Sequence, residues 1–330
     1  MFDGLVAGML GTLGSAILPI VAIAGLGVLL GRTLDVDPGP LNDVAVYVLV
    51  PALVFHSLAT TPLSGGTVVA ILVGVVAYTA IMLAIAGGVG RLAGLTEPLL
   101  GAVVLAGVFS NAGNFGIPLS EFAFGTVGRQ TAVAYIVGQS VLLYTLGAAV
   151  AARGAADRAI DAVRAILRVP LLYAVLAALV VRAFGLVGPE TTGSAIDTVE
   201  MVGVASIPIM LLVLGIQLER VDVSATLRVT VTPALLKLAV APVVAIAIAL
   251  TITAVAPAVF ADPTVARVFV LECAAPSAVT PVILIGEFGP ETPAEPTPAA
   301  IASATILVTT LASVPLLTLL IPLLESGTIL

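Results

Sequence analysis

Apolar residues run along this chain in long blocks, separated by short polar or proline- and glycine-rich stretches. A helix needs about 20 mostly apolar residues to cross the hydrocarbon core of a bilayer. By that ruler the pattern predicts ten spans, at 10–31, 41–60, 67–93, 98–125, 130–152, 169–187, 196–218, 226–256, 264–288 and 299–323. The punctuation between them includes Asp35-Val36-Asp37-Pro38-Gly39-Pro40, Thr61-Pro62-Leu63-Ser64-Gly65-Gly66 and the run from Gly289-Pro290 to Pro298. Two spans are interrupted. Span 4 carries Ser110-Asn111-Ala112-Gly113-Asn114-Phe115-Gly116-Ile117-Pro118, and span 9 carries Cys273-Ala274-Ala275-Pro276-Ser277-Ala278-Val279-Thr280-Pro281. Proline removes a backbone donor and clashes with the preceding turn, and each glycine costs about 1 kcal/mol of helix propensity. In hydrocarbon the freed backbone groups survive only inside protein or beside a water-filled cavity. Spans broken at mid-depth are how many secondary transporters build a substrate site.

The spacing also predicts an internal repeat. Asn42-Asp43 stand before Pro51 in span 2 as Val199-Glu200 stand before Pro208 in span 7, with the acid eight residues ahead of the proline in both. Spans 4 and 9 are both broken and both leave through an aromatic-glycine pair, Phe124-Gly125 and Phe288-Gly289. Each match is displaced by five spans, and an odd displacement makes the second copy enter from the opposite side. The expected architecture is therefore an inverted five-plus-five repeat, with 1–152 and 169–330 as the two copies. The polar stretch 153–168 between them interleaves Arg153, Arg158, Arg164 and Arg168 with Asp157 and Asp161. That spacing allows an amphipathic surface helix and equally a solvated linker. Placing it in the cytoplasm, as the positive-inside rule directs, puts eight of eleven Arg inside. Arg129, Arg182 and Arg267 are left outside, and both termini are expected to be extracytoplasmic.

Composition narrows the class. The chain is 60% hydrophobic and 9% charged, with a mean hydropathy of +1.24, whereas soluble domains carry about 25% charged residues. This is an all-α polytopic membrane protein. The start, Met1-Phe2-Asp3-Gly4, has no basic n-region and the apolar run continues to Leu30, so it reads as a first span and not as a cleaved signal. A single cysteine, Cys273, excludes an intramolecular disulfide framework and a cysteine metal site. One His and no Trp leave little material for a metal centre or an aromatic cage. No cofactor and no nucleic-acid partner is expected.

The candidate chemistry lies in the breaks. Asn111 and Asn114 offer amide donors that suit a carboxylate without a fixed buried cation. The half-helix expected to start near Gly116 adds a positive dipole end, and Pro118, with Pro276 and Pro281, is expected to hold the break open. A plain capping role for both Asn is the competing reading. In the second break Pro276 and Pro281 interrupt the helix, while Ser277 and Thr280 can satisfy freed groups or touch a ligand. Glu272 lies beside it at mid-span, where an ionisable group is a functional candidate by default; a structural, lysine-paired carboxyl is the alternative. Lys237, the sole Lys, either pairs with a carboxylate, meets an anion or snorkels to the cytoplasmic surface. Glu121, one turn past the first break, is a weaker candidate for ion coupling. His56 fits a proton-sensing group less well than a hydrogen-bonded helix-end histidine. Gln139, Tyr144 and Gln217 either line a pathway or join helices.

These motifs resemble the auxin efflux carrier family, whose members include the plant PIN-FORMED carriers and prokaryotic proteins labelled malate or malonate carriers. The resemblance is carried by Asn111 with Gly116-Ile117-Pro118-Leu119, by Ala274-Ala275-Pro276, Pro281 and Glu287-Phe288, by Pro51-Ala52-Leu53-Val54-Phe55, and by Pro208, Gly215 and Leu218. It extends over nearly the whole chain. It implies a ten-helix inverted repeat like that of bile acid symporters and sodium/proton antiporters. Helices 1, 2, 6 and 7 would form a dimerising scaffold, and helices 3–5 and 8–10 a transport domain whose helices 4 and 9 cross at their breaks. It further implies that Asn111 meets the substrate carboxylate. The chain departs from the plant pattern at Ser110, where a proline precedes the Asn, and in the short 153–168 stretch that replaces a long regulatory loop. The expected function is alternating-access transport of a small organic anion in the cell membrane, as a homodimer, with a site of Asn111, Asn114, Gly116, Pro118, Pro276, Ser277, Thr280 and Pro281. A sodium- or proton-coupled cation antiporter using Glu272 and Glu121 is the rival reading.

Overall fold

The computed structural model describes every residue except 1–7, 154–169, 222–226, 291, 293–295 and 328, and the side chains of 227 and 228. Among the described residues eleven helical segments follow one another: α1 (Gly8–Leu34), α2 (Pro38–Thr60), α3 (Gly65–Leu92), α4 (Leu99–Val108), α5 (Ala112–Ala151), α6 (Pro170–Ala183), α7 (Ser194–Glu219), α8 (Val229–Val255), α9 (Pro263–Ala274), α10 (Thr280–Phe288) and α11 (Pro298–Glu325). Seven of them, α1, α2, α3, α5, α7, α8 and α11, are long and apolar enough to cross a membrane. No strand forms among the described residues, apart from one isolated bridge. The chain is an all-helical, multi-pass membrane protein. The expected start at Met1–Gly4, and the 154–168 part of the linker with Arg158, Arg164 and Arg168, fall outside the described residues.

Helices start where the sequence supplies a cap. Asp37 accepts from Gly39 N ahead of α2, Ser64 from Thr67 N ahead of α3, Asp262 from Thr264 N ahead of α9, and Thr297 from Ala300 N ahead of α11. Each side-chain oxygen satisfies one of the orphan amides of a helix's first turn. α5 is 40 residues long, twice what a bilayer needs. It divides at Gly125, whose φ of 62° and ψ of −150° are open to glycine and strained for any side chain.

Packing pairs α1 with α7, α2 with α6 and α7, α3 with α4 and α5, α9 with α5 and α8, and α11 with α4 and α8. Outward faces stay apolar: Leu18, Leu26 and Leu29 on α1, Val69, Val73 and Val76 on α3, and Leu176, Leu179 and Val180 on α6 are exposed, as a lipid-facing surface requires. The α1–α7 pair is held backbone to backbone. A Cβ at Gly215 would collide with Ala24 O, and one at Gly27 with Leu212 O. A backbone carbonyl has no rotamer by which to yield. Gly215→Leu is therefore expected to cost more than the roughly 1–3 kcal/mol of ordinary overpacking, read as loss of the monodisperse peak in detergent size-exclusion chromatography.

Candidate functional site

α4 stops at Val108 and α5 resumes at Ala112, so the first break is Phe109-Ser110-Asn111. It is shorter than the expected run and sits at its N-terminal end. The half-helix begins at Ala112 and not near Gly116. Gly113, Asn114 and Gly116 belong to a wide first turn in which Gly116 N reaches back to Asn111 O at 2.9 Å. Pro118 follows in the first α-helical turn, where a missing N–H costs nothing. Gly116 has a packing reason as well: a Cβ there would collide with the Glu272 carboxylate. The second break runs over 275–279, between the end of α9 and the start of α10. Cys273 and Ala274 are still helical, and Pro281 occupies the first turn of α10.

The two breaks satisfy each other. Asn111 N donates to Pro276 O at 2.7 Å and Ala278 N to Phe109 O at 2.9 Å, with Ser110 and Ser277 facing as an antiparallel bridge. Ser277 Oγ donates to Ala106 O at 2.8 Å, and Ser277 N donates to Thr309 Oγ1 at 3.0 Å. Gln139 closes the remaining gap: its Nε2 donates to Ser110 O at 2.8 Å and its Oε1 accepts from Ser110 N at 3.2 Å. Backbone that has left a helix in an apolar interior needs this complete set of partners. Pro276 and Ser277 therefore serve the junction itself.

Lys237, from α8, is fully buried. Its Nζ donates to Ser110 Oγ, to Tyr78 OH at 3.1 Å and to Cys273 O at 2.9 Å, the three acceptors an ammonium can use. It thus joins both breaks and does not snorkel to a surface. Its partners are hydroxyls and a carbonyl; no ion pair with Glu272 forms. Glu272, equally buried, accepts from Ser120 Oγ at 2.7 Å through Oε1, and its Oε2 has no hydrogen-bond partner.

A cavity of about 410 Å³ reaches the junction from one side. Its inner wall is Ser110, Asn111, Gly113, Asn114, Gln139, Ala278, Val279 and Thr280; its outer wall includes Asn42, Asp43, Tyr47, Tyr144 and Gln217. Asn111 Oδ1 accepts from Asn114 N at 3.2 Å, which fixes the amide orientation and confirms a capping role. The other end of the same amide, Nδ2, is buried without a partner. The first turn of α10 has no side-chain cap. Two helix N-termini thus meet at a cavity lined by Asn111, whose spare amide donor is buried at its wall. Of the expected substrate residues, Asn111, Asn114 and Thr280 line it, whereas Gly116, Pro118, Pro276, Ser277 and Pro281 stand behind the wall.

Away from the cavity, Arg129 from α5 is buried between two carboxylates. Its Nε lies 3.4 Å from Glu121 Oε2 and its Nη2 donates to Glu200 Oε1 at 3.2 Å. His56 Nε2 of α2 is 3.9 Å from Glu200 Oε2. Glu121 is therefore drawn into an ionic cluster that ties α5 to α2 and α7, and does not share the junction with Glu272. Sequence reading missed this cluster, because an Arg at a span end registers only as a topology marker. It also missed Tyr78 and Ser120, which carry no signal outside their packing.

The sequence model of a family described as "Membrane transport protein" matches residues 14–321. A protein of Methanothermobacter thermautotrophicus described as an "Uncharacterized transporter" is 26% identical over 210 residues, covering 62% of this chain and 66% of that protein. The match thus spans slightly less than two thirds of that relative.

Proposed function

The chain belongs to the membrane transport protein family, the auxin efflux carriers that its motifs resemble, and on that premise we propose that it is a secondary carrier moving a small organic anion by alternating access. It is a transporter and not an enzyme. The observation that carries the substrate reading is Asn111 Nδ2, a buried donor without a partner at a cavity wall made of two helix starts. An unpaired buried donor costs about 1–3 kcal/mol. A carboxylate removes that cost, and helix N-termini favour negative charge.

The transport reading draws on the geometry around the site. Counting α4 with the first half of α5 as one span, the second half as another, and α9 with α10 as a third gives ten. In an inverted repeat the matched acids belong on opposite faces. That accords with Asp43 at the cavity and Glu200 in the Arg129 cluster. The antiparallel pairing of the breaks suits crossing helices 4 and 9. We assign α1, α2, α6 and α7 to a scaffold that dimerises through its apolar outer faces, and the remaining helices to a moving unit. Gln217 of the cavity wall stands one turn before Arg220, which pairs with Asp35; the positive-inside rule makes that end of α7 cytoplasmic. The inward-facing state would then be closed externally by the Arg129 cluster, and outward opening requires that cluster to part.

A second reading rests on Glu272 Oε2, buried and without a partner, which suits exchange of a proton or cation during the cycle. Binding is tested first. A ligand at 100 times its Kd stabilises a protein by about 2.7 kcal/mol, so carboxylates are expected to raise the melting temperature of the purified protein by several degrees. No shift from any mono- or dicarboxylate would remove the anion reading.

A further inference from the structure

Among the described residues lining the cavity, one side chain carries a formal charge, and it is negative. Asp43 stands exposed on α2, with no ion pair among the described residues. Arg220, one turn past Gln217 of the cavity wall, is already engaged by Asp35 and Asp37. Asp43, Val46, Tyr47 and Val50 all line the cavity; their spacing places them on one helix face. That face runs about 10 Å from the acid to Val50, at 1.5 Å per residue. The same cavity is lined by Asn111, whose Nδ2 has no partner, and by the apolar side chains Ile136, Leu143, Met210 and Ile283. It thus combines polar junction residues, an apolar lining and one anionic side chain.

Resting on the proposed anion site, we infer that Asp43 is a specificity-determining residue that selects monocarboxylates with an apolar body and rejects dicarboxylates. A substrate anchored at Asn111 extends its far end toward Asp43. A second carboxylate there meets a like charge with no cation in the cavity lining among the described residues to offset it. An apolar end meets no such penalty, and an ammonium end is attracted. Like charges facing each other in a partly screened cavity repel enough to shift affinity on the order of tenfold.

A charge ladder of equal chain length tests this: pentanoate, glutarate and the ω-amino acid of five carbons, each titrated by thermal shift against the purified protein. In the wild type, glutarate is expected to bind about tenfold more weakly than pentanoate, with the ω-amino acid at least as tight as pentanoate. Asp43→Asn should bring the glutarate-to-pentanoate ratio close to one, and Asp43→Lys should invert it. Because Asp43 is exposed and has no ion pair among the described residues, both variants are expected to fold, and monodispersity checks it. Glutarate binding as tightly as pentanoate in the wild type overturns the inference while leaving the anion site standing; so does a ratio unchanged by Asp43→Asn. Binding of none of the three, with a shift from another carboxylate, overturns this inference alone; no shift from any carboxylate overturns the anion site with it.

Discussion

Asn111→Ala is expected to lower carboxylate affinity by about 10- to 100-fold, the loss of one hydrogen bond to a charged group at about 1.5–3 kcal/mol. The substitution also removes the cap on Asn114 N, which costs about 1 kcal/mol of stability. Asn111→Asp separates the two effects. An aspartate keeps the capping oxygen but replaces the Nδ2 donor by an acceptor that repels an anion, so binding should vanish while the melting temperature stays near the wild type. Both backbone bonds of the junction, Asn111 N to Pro276 O and Ala278 N to Phe109 O, are independent of the side chain, so the fold is expected to persist in either variant. Titration of the carboxylate that stabilises the wild type best reads out the effect; an Asn111→Asp protein that binds it normally would take this residue out of the site.

The second large effect belongs to Lys237. Its ammonium stands directly behind Ser110, a residue of the cavity wall, and no other basic side chain reaches the junction among the described residues. Removing it strips the site of its positive charge. Its oxygen partners keep alternatives: Ser110 Oγ and Tyr78 OH each also reach Cys273 O, at 3.2 Å. Replacing a buried charge by an apolar group of similar volume is often neutral or stabilising. Lys237→Met is therefore expected to yield a folded protein of equal or higher melting temperature whose anion affinity falls at least about tenfold. Collapse of the variant during purification would instead make Lys237 a structural strut.

How far the sequence foretold this site varies residue by residue. The two breaks were legible because Asn, Gly and Pro cluster there against an otherwise apolar background. Their extent was not, since Pro118 and Pro281 fit first helical turns, and Gly116 answers to Glu272 and not to a turn. The capping reading of Asn111 and the ligand reading both find support in one amide, its oxygen bound and its nitrogen spare. Lys237 left its burial open because one-dimensional depth says nothing about which way a helix is rotated. Gln139 was flagged as pathway or glue, and only three-dimensional pairing makes it the clamp on Ser110. Asp43 and Glu200 were noticed as a repeat signal, yet their separate surroundings, an open cavity and an arginine cluster, depend on how α2 and α7 pack. Gly215 stood among the family motifs, but its reason, the Ala24 carbonyl, lies 191 residues earlier in the chain, by subtraction of the two numbers.

Counterflow in proteoliposomes decides whether this chain carries a small organic anion through the junction of its broken helices. Vesicles preloaded with an unlabelled monocarboxylate would be offered the labelled form, with and without imposed sodium and proton gradients. The account predicts saturable, substrate-specific accumulation that Asn111→Asp abolishes. Acceleration by one gradient, lost in Glu272→Gln, would identify the coupling ion; indifference to both would describe a uniporter driven by membrane potential. Cation-dependent proton movement without any exchange of carboxylate would contradict the claim and return the protein to the antiporter reading.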